Sequence, residues 1–495
     1  MLHYPSFSSA LAVARSLLTL MLAAGPFASA QAAFDALAQL QRAGAEVTAG
    51  VVDLDSGKTI QTLNADTRLA PASLTKLVIA AAALDSWHTD KTFSTRLSGL
   101  GSVSGGRIAG KLILHGDGDP ALDHQSLWLL AAQLKAAGIK SVSGGLEVNL
   151  WPVGPVACGT QDRCEAFEKS ATAYNAPIAT LGVDYGTWCV DVRPARSAGK
   201  PALVTGCGVA ELPVKVEGTI NTTASGGKQD FYLDRFTNEE GDVLRVGGNI
   251  PAGKAQRLYR AMSNPAYGTG LLMRQVLDEI GIDVDGPVSV VNAPVPREAY
   301  PLAASEGLSL REQLGRMLRF SNNYIADVLT LDLATETRRQ PPQQLADAAG
   351  VLSAFVDHAN RKHGDAVEPP PLFSGSGLTP ENRLSANDLL SVLAGQYRDT
   401  VRFPAYYGSL VVPRQAPFRF LRMGSPAWMD RVALKTGTMN EPRSVCGIAG
   451  YMRKREGGWM AFAIIVNGGA RMKHVPLYKS MEAARKDLDE VLARY

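Results

Sequence analysis

The fold of this chain is organised around the stretch Pro71–Leu84, which reads PASLTKLVIAAAAL. Its alanine-rich half has strong helix propensity, and a proline in the first turn suits a helix start. Ser73 and Lys76 are three residues apart, so on a helix they share one face. A serine hydroxyl within reach of an amine can become nucleophilic without histidine. Because Ser-x-x-Lys also occurs by chance in most long chains, the rest of the sequence has to decide.

Length and composition describe a globular protein of several domains. The chain has 495 residues, too many for one ordinary domain, and it is 46% hydrophobic and 20% charged. A net charge of +3 without a concentrated basic tract argues against nucleic acid as a partner. The seven histidines form no metal-ligand spacing, so we expect no metal and no other cofactor.

The first thirty residues differ from everything that follows. A polar start that includes Arg15 precedes a short apolar run over 16–25, and the small residues Ala28–Ala30 come next, as at a signal-peptidase site. The apolar run is well short of the roughly 20 residues that span a bilayer. We expect a cleavable secretory signal over 1–30 and a periplasmic protein with at most peripheral membrane association. An uncleaved anchor is the alternative.

The five cysteines suit an oxidising compartment. Cys158 and Cys164 are close in sequence, as are Cys189 and Cys207, whereas Cys446 stands apart. The simplest arrangement is two local disulfides and one buried free thiol, although the sequence alone leaves the connectivity open. None of the five has an evident histidine partner, which disfavours a cysteine nucleophile.

Helix and strand patterns lie on both sides of a long β-rich segment. An amphipathic helix is predicted over 34–43, and Asp-Ser-Gly at 55–57 predicts the turn of a β-hairpin. Short β-like runs with Gly- and Ser-rich turns occupy 96–261. Strong strand patterns return over 433–467, and an amphipathic helix is predicted over 477–495.

This order of elements predicts an α+β protein, in which an antiparallel sheet flanked by helices is split by a β-rich insertion of one or two domains. The expected segments are the signal peptide over 1–30, the first catalytic part over 31–95, the insertion over 96–261 and the second catalytic part over 262–495. The role of the insertion and the oligomeric state stay open.

Two further triplets match the needs of a serine–lysine enzyme. Ser321-Asn322-Asn323 follows a helical pattern, and Lys435-Thr436-Gly437 lies on a predicted strand. Each triplet is weak alone, since Lys-Thr-Gly also fits a strand that enters a turn. Together with Ser-x-x-Lys, in this order and in helix, loop and strand contexts, they form the set found in β-lactamases and penicillin-binding proteins.

The chain resembles the D-alanyl-D-alanine carboxypeptidase/endopeptidase family, the class C low-molecular-mass penicillin-binding proteins, over essentially the whole mature chain. That family carries Ser-x-x-Lys near the mature N-terminus, then a large insertion, Ser-x-Asn and Lys-Thr-Gly. Further similar stretches are Leu114–Pro120, Tyr174–Pro177 and Gly375–Leu378, together with Asn382, Arg383 and Ser385. The chain departs from the family at Asn322 and Ser374, where aspartate is common, and neither position puts the chemistry in doubt.

The resemblance implies a β-lactamase/transpeptidase-like catalytic domain that hydrolyses peptidoglycan stem peptides and cross-links and is inhibited by β-lactams. Ser73 would form the acyl-enzyme, and Lys76 would take its proton. Lys76 must then be neutral, although a free lysine has a pKa of about 10.4. Lys435 would be the second cation that lowers this pKa and would attract the substrate carboxylate. Ser321 would relay a proton to the leaving nitrogen, and Asn323 would hold the substrate amide and Lys76.

The resemblance also assigns substrate binding to Thr436, Gly437, Thr438 and Tyr174. The hydroxyls of Thr436 and Thr438 would bind the carboxylate, and the backbone N–H groups of Ser73 and Thr438 would form an oxyanion hole. Tyr174 would line the pocket for the side chain of the stem peptide, although an ordinary packed tyrosine fits this position equally well.

Two alternative functions fit part of the sequence. A β-lactamase shares the three motifs, but the class A enzymes need a glutamate in a Glu-x-x-Leu-Asn loop, and Ser385 replaces the asparagine after Glu381–Leu384. Such an enzyme also has no room for the insertion over 96–261. The other alternative is a non-catalytic peptidoglycan-binding protein with a decayed site, and the intact motifs argue against it. The balance between carboxypeptidase and endopeptidase action stays open.

Overall fold

A computed structural model describes residues 34–154, 156, 164, 168, 171–338, 341–342, 344–362, 364 and 368–495. The predicted signal peptide over 1–30 lies outside these residues. The helices of the described part are α1 (Asp35–Ala43), α2 (Thr75–Ser86), α3 (His124–Ala136), α4 (Pro265–Glu279), α5 (Leu310–Phe320), α6 (Asn323–Arg338), α7 (Leu345–Lys362), α8 (Ala386–Tyr397), α9 (Phe403–Gly408), α10 (Pro426–Arg431) and α11 (Leu477–Arg494). Short helical turns lie at Ala72–Leu74, Ala173–Asn175, Val183–Gly186, Pro413–Gln415 and Arg419–Arg422.

The strands are β1 (Glu46–Asp53), β2 (Thr59–Leu63), β3 (Ser94–Ser104), β4 (Arg107–Gly116), β5 (Ser141–Val142), β6 (Leu146–Asn149), β7 (Thr187–Arg193), β8 (Leu203–Gly206), β9 (Lys215–Thr223), β10 (Tyr232–Asn238), β11 (Gly241–Pro251), β12 (Gln256–Ala261), β13 (Asp283–Val284), β14 (Val288–Val291), β15 (Tyr300–Glu306), β16 (Val432–Met439), β17 (Val445–Arg453) and β18 (Trp459–Asn467). They form four sheets within the described residues.

A five-stranded antiparallel sheet in the order β16-β17-β18-β1-β2 joins the two ends of the chain. The predicted hairpin is confirmed as β1 and β2, whose turn is closed by the N–H of Gly57 donating to the carbonyl of Asp53 (2.8 Å). Successive side chains of a strand point to opposite faces. Leu434 therefore faces one core while Ala433 and Lys435 face the other side, where the Ser73 turn lies.

Helices cover both faces of this sheet. On one face, α1 and α11 pack through residues such as Leu37 and Leu488. On the other, α2 and α8 pack through residues such as Leu77 and Leu389. All of α2 from Thr75 to Leu84 is buried, because its small alanine side chains let neighbouring elements approach from every side. The predicted α+β architecture is confirmed.

The inserted unit has its own hydrophobic core. Its largest sheet has seven strands, with β15 beside β3 and with β14 beside β6, and helices α3 and α4 pack against it. The predicted boundary at residue 261 differs from this pairing, because α4, β14 and β15 all lie beyond it. We propose that the inserted unit spans 94–306. Local sequence pattern could not show this, since β15 pairs with a strand about 200 residues earlier.

The cysteine pattern is partly confirmed. Cys189 and Cys207 form a disulfide that ties β7 to the end of β8. Cys164 is disulfide-bonded as well, but Cys158 lies outside the described residues, so that pairing stays a prediction. Cys446 is a buried free thiol, and burial raises its pKa to about 12. None of the described helices is both long and apolar enough to cross a membrane.

Candidate active site

Ser73 lies in a tight 3₁₀ turn, Ala72–Leu74, which runs directly into α2. The sequence predicted an α-helix start here; instead, Ala72 adopts a left-handed φ of +46°, which turns the chain sharply before the helix. Gly377 lies against this turn. A Cβ atom built at Gly377 would lie 1.9 Å from the carbonyl oxygen of Ala72, so only glycine fits.

Lys76 lies below the Ser73 hydroxyl, as predicted, and is fully buried. Its Nζ donates to Ser73 Oγ (3.0 Å) and to Asn323 Oδ1 (2.7 Å). It also donates to the carbonyl oxygen of Ser376 (2.6 Å). The amine is therefore fixed by acceptors from the Ser73 turn, α6 and the 374–378 loop, and one of these acceptors is the candidate nucleophile.

Sequence reasoning missed the support that Ser376 and Asp327 give to Lys76. Asp327 lies one turn after Asn323 on α6, and its Oδ1 accepts the N–H of Ser376 at 2.8 Å. The backbone of Ser376 is thereby held in place while its carbonyl oxygen accepts from Lys76 Nζ. The stretch Gly375–Leu378 was recognised as family-like, but no local signal showed that its backbone faces the lysine.

A second amine–hydroxyl pair lies beside the first. Lys435 Nζ donates to Ser321 Oγ (2.9 Å) and to the carbonyl oxygen of Thr436 (2.7 Å). Lys435 is 1% exposed, and this burial lowers the pKa of its amine to about 7. Near neutral pH Lys435 can thus either give or take a proton.

The turn between α5 and α6 presents both residues of the Ser-x-Asn motif. Ser321 has a left-handed φ of +55°, which ends α5 and lets α6 begin at Asn323. Asn323 Nδ2 donates to the carbonyl oxygen of Tyr174 (3.1 Å) while its Oδ1 accepts from Lys76. Asn323 therefore links the lysine to the inserted unit.

The four predicted substrate-binding residues have different surroundings. Thr436 is half-buried and Thr438 is exposed on β16, the strand that packs against the Ser73 turn. Gly437 is buried between them, and a Cβ atom there would lie 2.4 Å from the carbonyl oxygen of Pro71. Tyr174 is 58% exposed and joins the site through its backbone carbonyl.

The arrangement combines two buried amines, each of which donates to a serine hydroxyl. These are the groups that can activate a serine nucleophile without histidine. Within the described ranges no three His, Cys, Asp or Glu side chains form a cluster that could hold a metal ion. Three direct contacts join the five predicted catalytic side chains into two groups, Lys76 with Ser73 and Asn323, and Lys435 with Ser321. The turn that carries both Ser321 and Asn323 links the two groups, although the three motifs lie far apart in the sequence.

The chain belongs to the D-Ala-D-Ala carboxypeptidase 3 (S13) family, whose sequence model matches residues 30–494. It is similar to the D-alanyl-D-alanine carboxypeptidase of Actinomadura sp. (strain R39), with 29% identity over 445 residues that cover 84% of this chain and 77% of the relative. It is also similar to D-alanyl-D-alanine carboxypeptidase DacB of Haemophilus influenzae, with 25% identity over 422 residues and 84% of each chain covered. The family predicted from the motifs is confirmed.

A solved structure shows the same fold. Penicillin-binding protein 4 (dacB) of Haemophilus influenzae superimposes with a TM-score of 0.70 at 23% identity, over 92% of this chain and 99% of that one. The structure of that protein in complex with a β-lactam gives a TM-score of 0.68 with the same coverage. The α+β catalytic domain with a β-rich insertion is therefore common to both proteins.

Proposed function

We propose that this protein is a serine-type D-Ala-D-Ala carboxypeptidase, endopeptidase or both, which acts on peptidoglycan stem peptides and cross-links and is acylated by β-lactams. The observation that carries the proposal is the 3.0 Å contact between Lys76 Nζ and Ser73 Oγ in a buried setting. A hydroxyl in contact with an amine that has no exposure to water is poised for proton transfer.

In the proposed acylation step, Ser73 Oγ attacks the carbonyl carbon of the D-Ala-D-Ala bond and Lys76 takes the hydroxyl proton. The backbone N–H groups of Ser73 and Thr438 stabilise the oxyanion, and losing one such donor typically costs about 100- to 1000-fold in rate. When the carbon–nitrogen bond breaks, the leaving amine receives a proton from Ser321, which is replenished by Lys435 across their 2.9 Å contact.

Substrate placement follows from the strand beside the nucleophile. The terminal carboxylate of the substrate would meet the hydroxyls of Thr436 and Thr438 and the charge of Lys435, and Tyr174 would contact the side chain of the stem peptide. Water then hydrolyses the Ser73 ester and regenerates the hydroxyl. A β-lactam acylates the same oxygen, and because its ring-opened product stays attached, the adduct is released slowly.

We place the protein in the periplasm, exported by a cleavable signal over 1–30, because peptidoglycan lies there and the Cys189–Cys207 disulfide fits an oxidising compartment. The modest net charge of +3 gives no reason to expect nucleic acid as a partner.

Covalent labelling by a fluorescent penicillin tests the proposal. We expect one label per protein molecule, released slowly, and no label on Ser73→Ala. The matched control is Ser86→Ala, which changes an exposed serine at the far end of α2 and should label normally. Rapid turnover of the penicillin would instead indicate a β-lactamase. The absence of any adduct on the wild-type protein would indicate a non-catalytic binding protein.

A second assay addresses the substrate. The protein is incubated with a diaminopimelate-containing pentapeptide and, separately, with cross-linked muropeptide dimers. Release of D-alanine from the pentapeptide is carboxypeptidase action, and conversion of dimers to monomers is endopeptidase action. If neither product forms with protein that labels with penicillin, the substrate assignment is wrong.

A further inference from the structure

One segment of the inserted unit, residues 174–186, packs against the start of helix α6, and the proposed chemistry gives most of it no role. The carbonyl oxygen of Tyr174 accepts from Asn323 Nδ2 at 3.1 Å. The carbonyl oxygen of Ala179 accepts from the hydroxyl of Tyr324, the next residue on α6, in a buried contact. Two consecutive residues of α6 are therefore bound to the backbone of the 174–186 segment, and the first of them is Asn323.

Tyr324 is enclosed by this segment and is 3% exposed. A Cβ atom built at Gly182 would lie 1.9 Å from its hydroxyl oxygen, and one built at Gly186 would lie 2.9 Å from its ring carbon Cε2. The backbone at both glycines thus packs directly on the tyrosine, where any larger residue would push the ring away. The fit of the ring into the segment limits where α6 can lie.

The end of the segment has a strained backbone that its surroundings hold in place. Asp184 and Tyr185 have left-handed φ values of +51° and +63°, which non-glycine residues adopt rarely. Such conformations persist where neighbouring contacts impose them, and they cluster at functional sites. The N–H of Asp184 donates to the carbonyl oxygen of Leu122 at 2.9 Å, within the inserted unit. The hydroxyl of Tyr185 accepts from Arg316 Nη1 at 3.2 Å, so the segment also contacts α5, the helix before the Ser-x-Asn turn.

The first turn of α6 needs contacts of this kind. The N–H groups in the first turn of a helix have no acceptor within the helix, so other groups must hold them. Asn322 Oδ1 accepts from the N–H of Ile325 at 3.0 Å, which caps the turn but does not tie it to another element. Tyr324 supplies such a tie, and a buried hydrogen bond is screened little by water. The position of Asn323 opposite Lys76 therefore depends on the inserted unit.

We propose that the 174–186 segment is a positioning element of the active site, which acts through Tyr324 to keep Asn323 Oδ1 at 2.7 Å from Lys76 Nζ. This inference rests on the function proposed above. Tyr324 is a positioning residue, since it acts through Asn323 rather than on the reacting atoms. When its hydroxyl is removed, the start of α6 moves relative to the segment, and Asn323 no longer holds Lys76 and the substrate amide in the geometry for acylation. The inserted unit thus contributes to the rate of the reaction.

Tyr324→Phe tests the contact, because it removes one hydroxyl and keeps the ring. The matched control is Tyr451→Phe, on β17, which makes the same change at another buried tyrosine, whose hydroxyl donates to the carbonyl oxygen of Leu393 at 2.8 Å. Each variant leaves one buried carbonyl group without its donor, so we expect both to lose a similar few degrees of thermal midpoint. The two proteins then differ in where the hydrogen bond was lost and not in how much stability was lost.

The positioning role is read from the rate of acylation, measured against the concentration of the fluorescent penicillin well below every thermal midpoint. This separates binding from the chemical step. We expect the limiting acylation rate of Tyr324→Phe to fall by about tenfold or more, because a misplacement of about 1 Å can cost about 100-fold. Tyr451→Phe should acylate at the wild-type rate. Equal limiting rates for the two variants overturn the positioning role.

Gly182→Ala tests the same contact from the side of the inserted unit. Its methyl group meets the hydroxyl of Tyr324, so we expect slower acylation, whereas Gly395→Ala, with open space around the new methyl group, should acylate normally. Combined with Tyr324→Phe, the loss should be smaller than the product of the two single losses, because the methyl group takes space that the hydroxyl leaves. A combined loss equal to that product overturns action through Tyr324.

Amide hydrogen exchange of the peptide that spans the Ser-x-Asn turn provides a readout that needs no acylation. We expect faster exchange in Tyr324→Phe and in Gly182→Ala than in the wild type, and unchanged exchange in Tyr451→Phe. Unchanged exchange in Tyr324→Phe overturns the claim that the segment holds α6. If even the wild type is never acylated, the proposed function and the catalytic role of the segment fail together, whereas exchange still decides whether the segment holds α6.

Discussion

Replacement of Lys76 by arginine separates the charge of this residue from its ability to accept a proton. Lys76 is fully buried, and its Nζ donates to three oxygen acceptors, including Ser73 Oγ. A guanidinium group keeps the positive charge and the capacity to donate, but it does not lose a proton near neutral pH. Lys76→Arg should therefore fold and bind substrate weakly but fail to activate Ser73.

The expected loss can be worked out from the proposed role. General-base catalysis by a positioned side chain contributes typically about 10²–10⁴-fold, which is roughly 3–5 kcal/mol of the activation barrier. The larger guanidinium group must also fit a fully buried site, and overpacking of this kind costs about 1–3 kcal/mol of folding stability. We expect a folded protein with a lowered thermal midpoint and an acylation rate reduced by about two to four orders of magnitude.

The assay is the time course of labelling by a fluorescent penicillin, with the adduct confirmed by intact mass and the fold checked by thermal unfolding. Ser73→Ala defines the background. Lys58→Arg, at an exposed position in the β1–β2 turn, is the matched control and should acylate at the wild-type rate. A folded Lys76→Arg protein that acylates at a near-normal rate would remove Lys76 from the mechanism.

Three further outcomes are expected. Burial lowers the pKa of Lys435 to about 7, and it is the protonated amine that replenishes Ser321. The second-order acylation rate should therefore fall about tenfold per pH unit above that value, and the acylation rate of Lys435→Arg should not show this decrease. Asp327→Ala leaves the buried N–H of Ser376 without its 2.8 Å acceptor, at a cost of about 1–3 kcal/mol, and should slow acylation through the loosened contact with Lys76. Gly377→Ala adds a methyl group 1.9 Å from a backbone carbonyl at a φ of +71°, so we expect a lowered thermal midpoint and slower acylation.

Each of these outcomes has its own check. A pH profile that stays flat from about pH 6 to 9 would exclude Lys435 as the proton donor. Normal acylation by Asp327→Ala would show that Lys76 does not depend on Ser376 for its position. Gly395→Ala, on the exposed face of α8 with open space around the new methyl group, is the control for Gly377 and should be neutral or slightly stabilising.

The sequence by itself determined the parts of this protein that depend on neighbouring residues. Ser73 and Lys76 are three residues apart, so almost any helical turn brings hydroxyl and amine together, and the contact exists even though a 3₁₀ turn replaces the predicted α-helix. The hairpin at 55–57 and the terminal helices are local in the same sense, whereas the sequence left the pairing of Cys189 with Cys207 open. Their formation follows from spacing, turn chemistry and short loops.

Only the tertiary structure decided which distant groups meet. The contact of Asn323 with Lys76 was implied by the family resemblance and not by any local pattern, since 247 residues separate the two. Ser376 contacts the same amine through its backbone carbonyl, a group that every residue has, so the sequence gives no sign of this contact. The inserted unit extends past residue 261 because β15 pairs with β3 across the whole insertion. The pKa of Lys435 likewise depends on complete removal from water, which is a property of the packed core rather than of any motif.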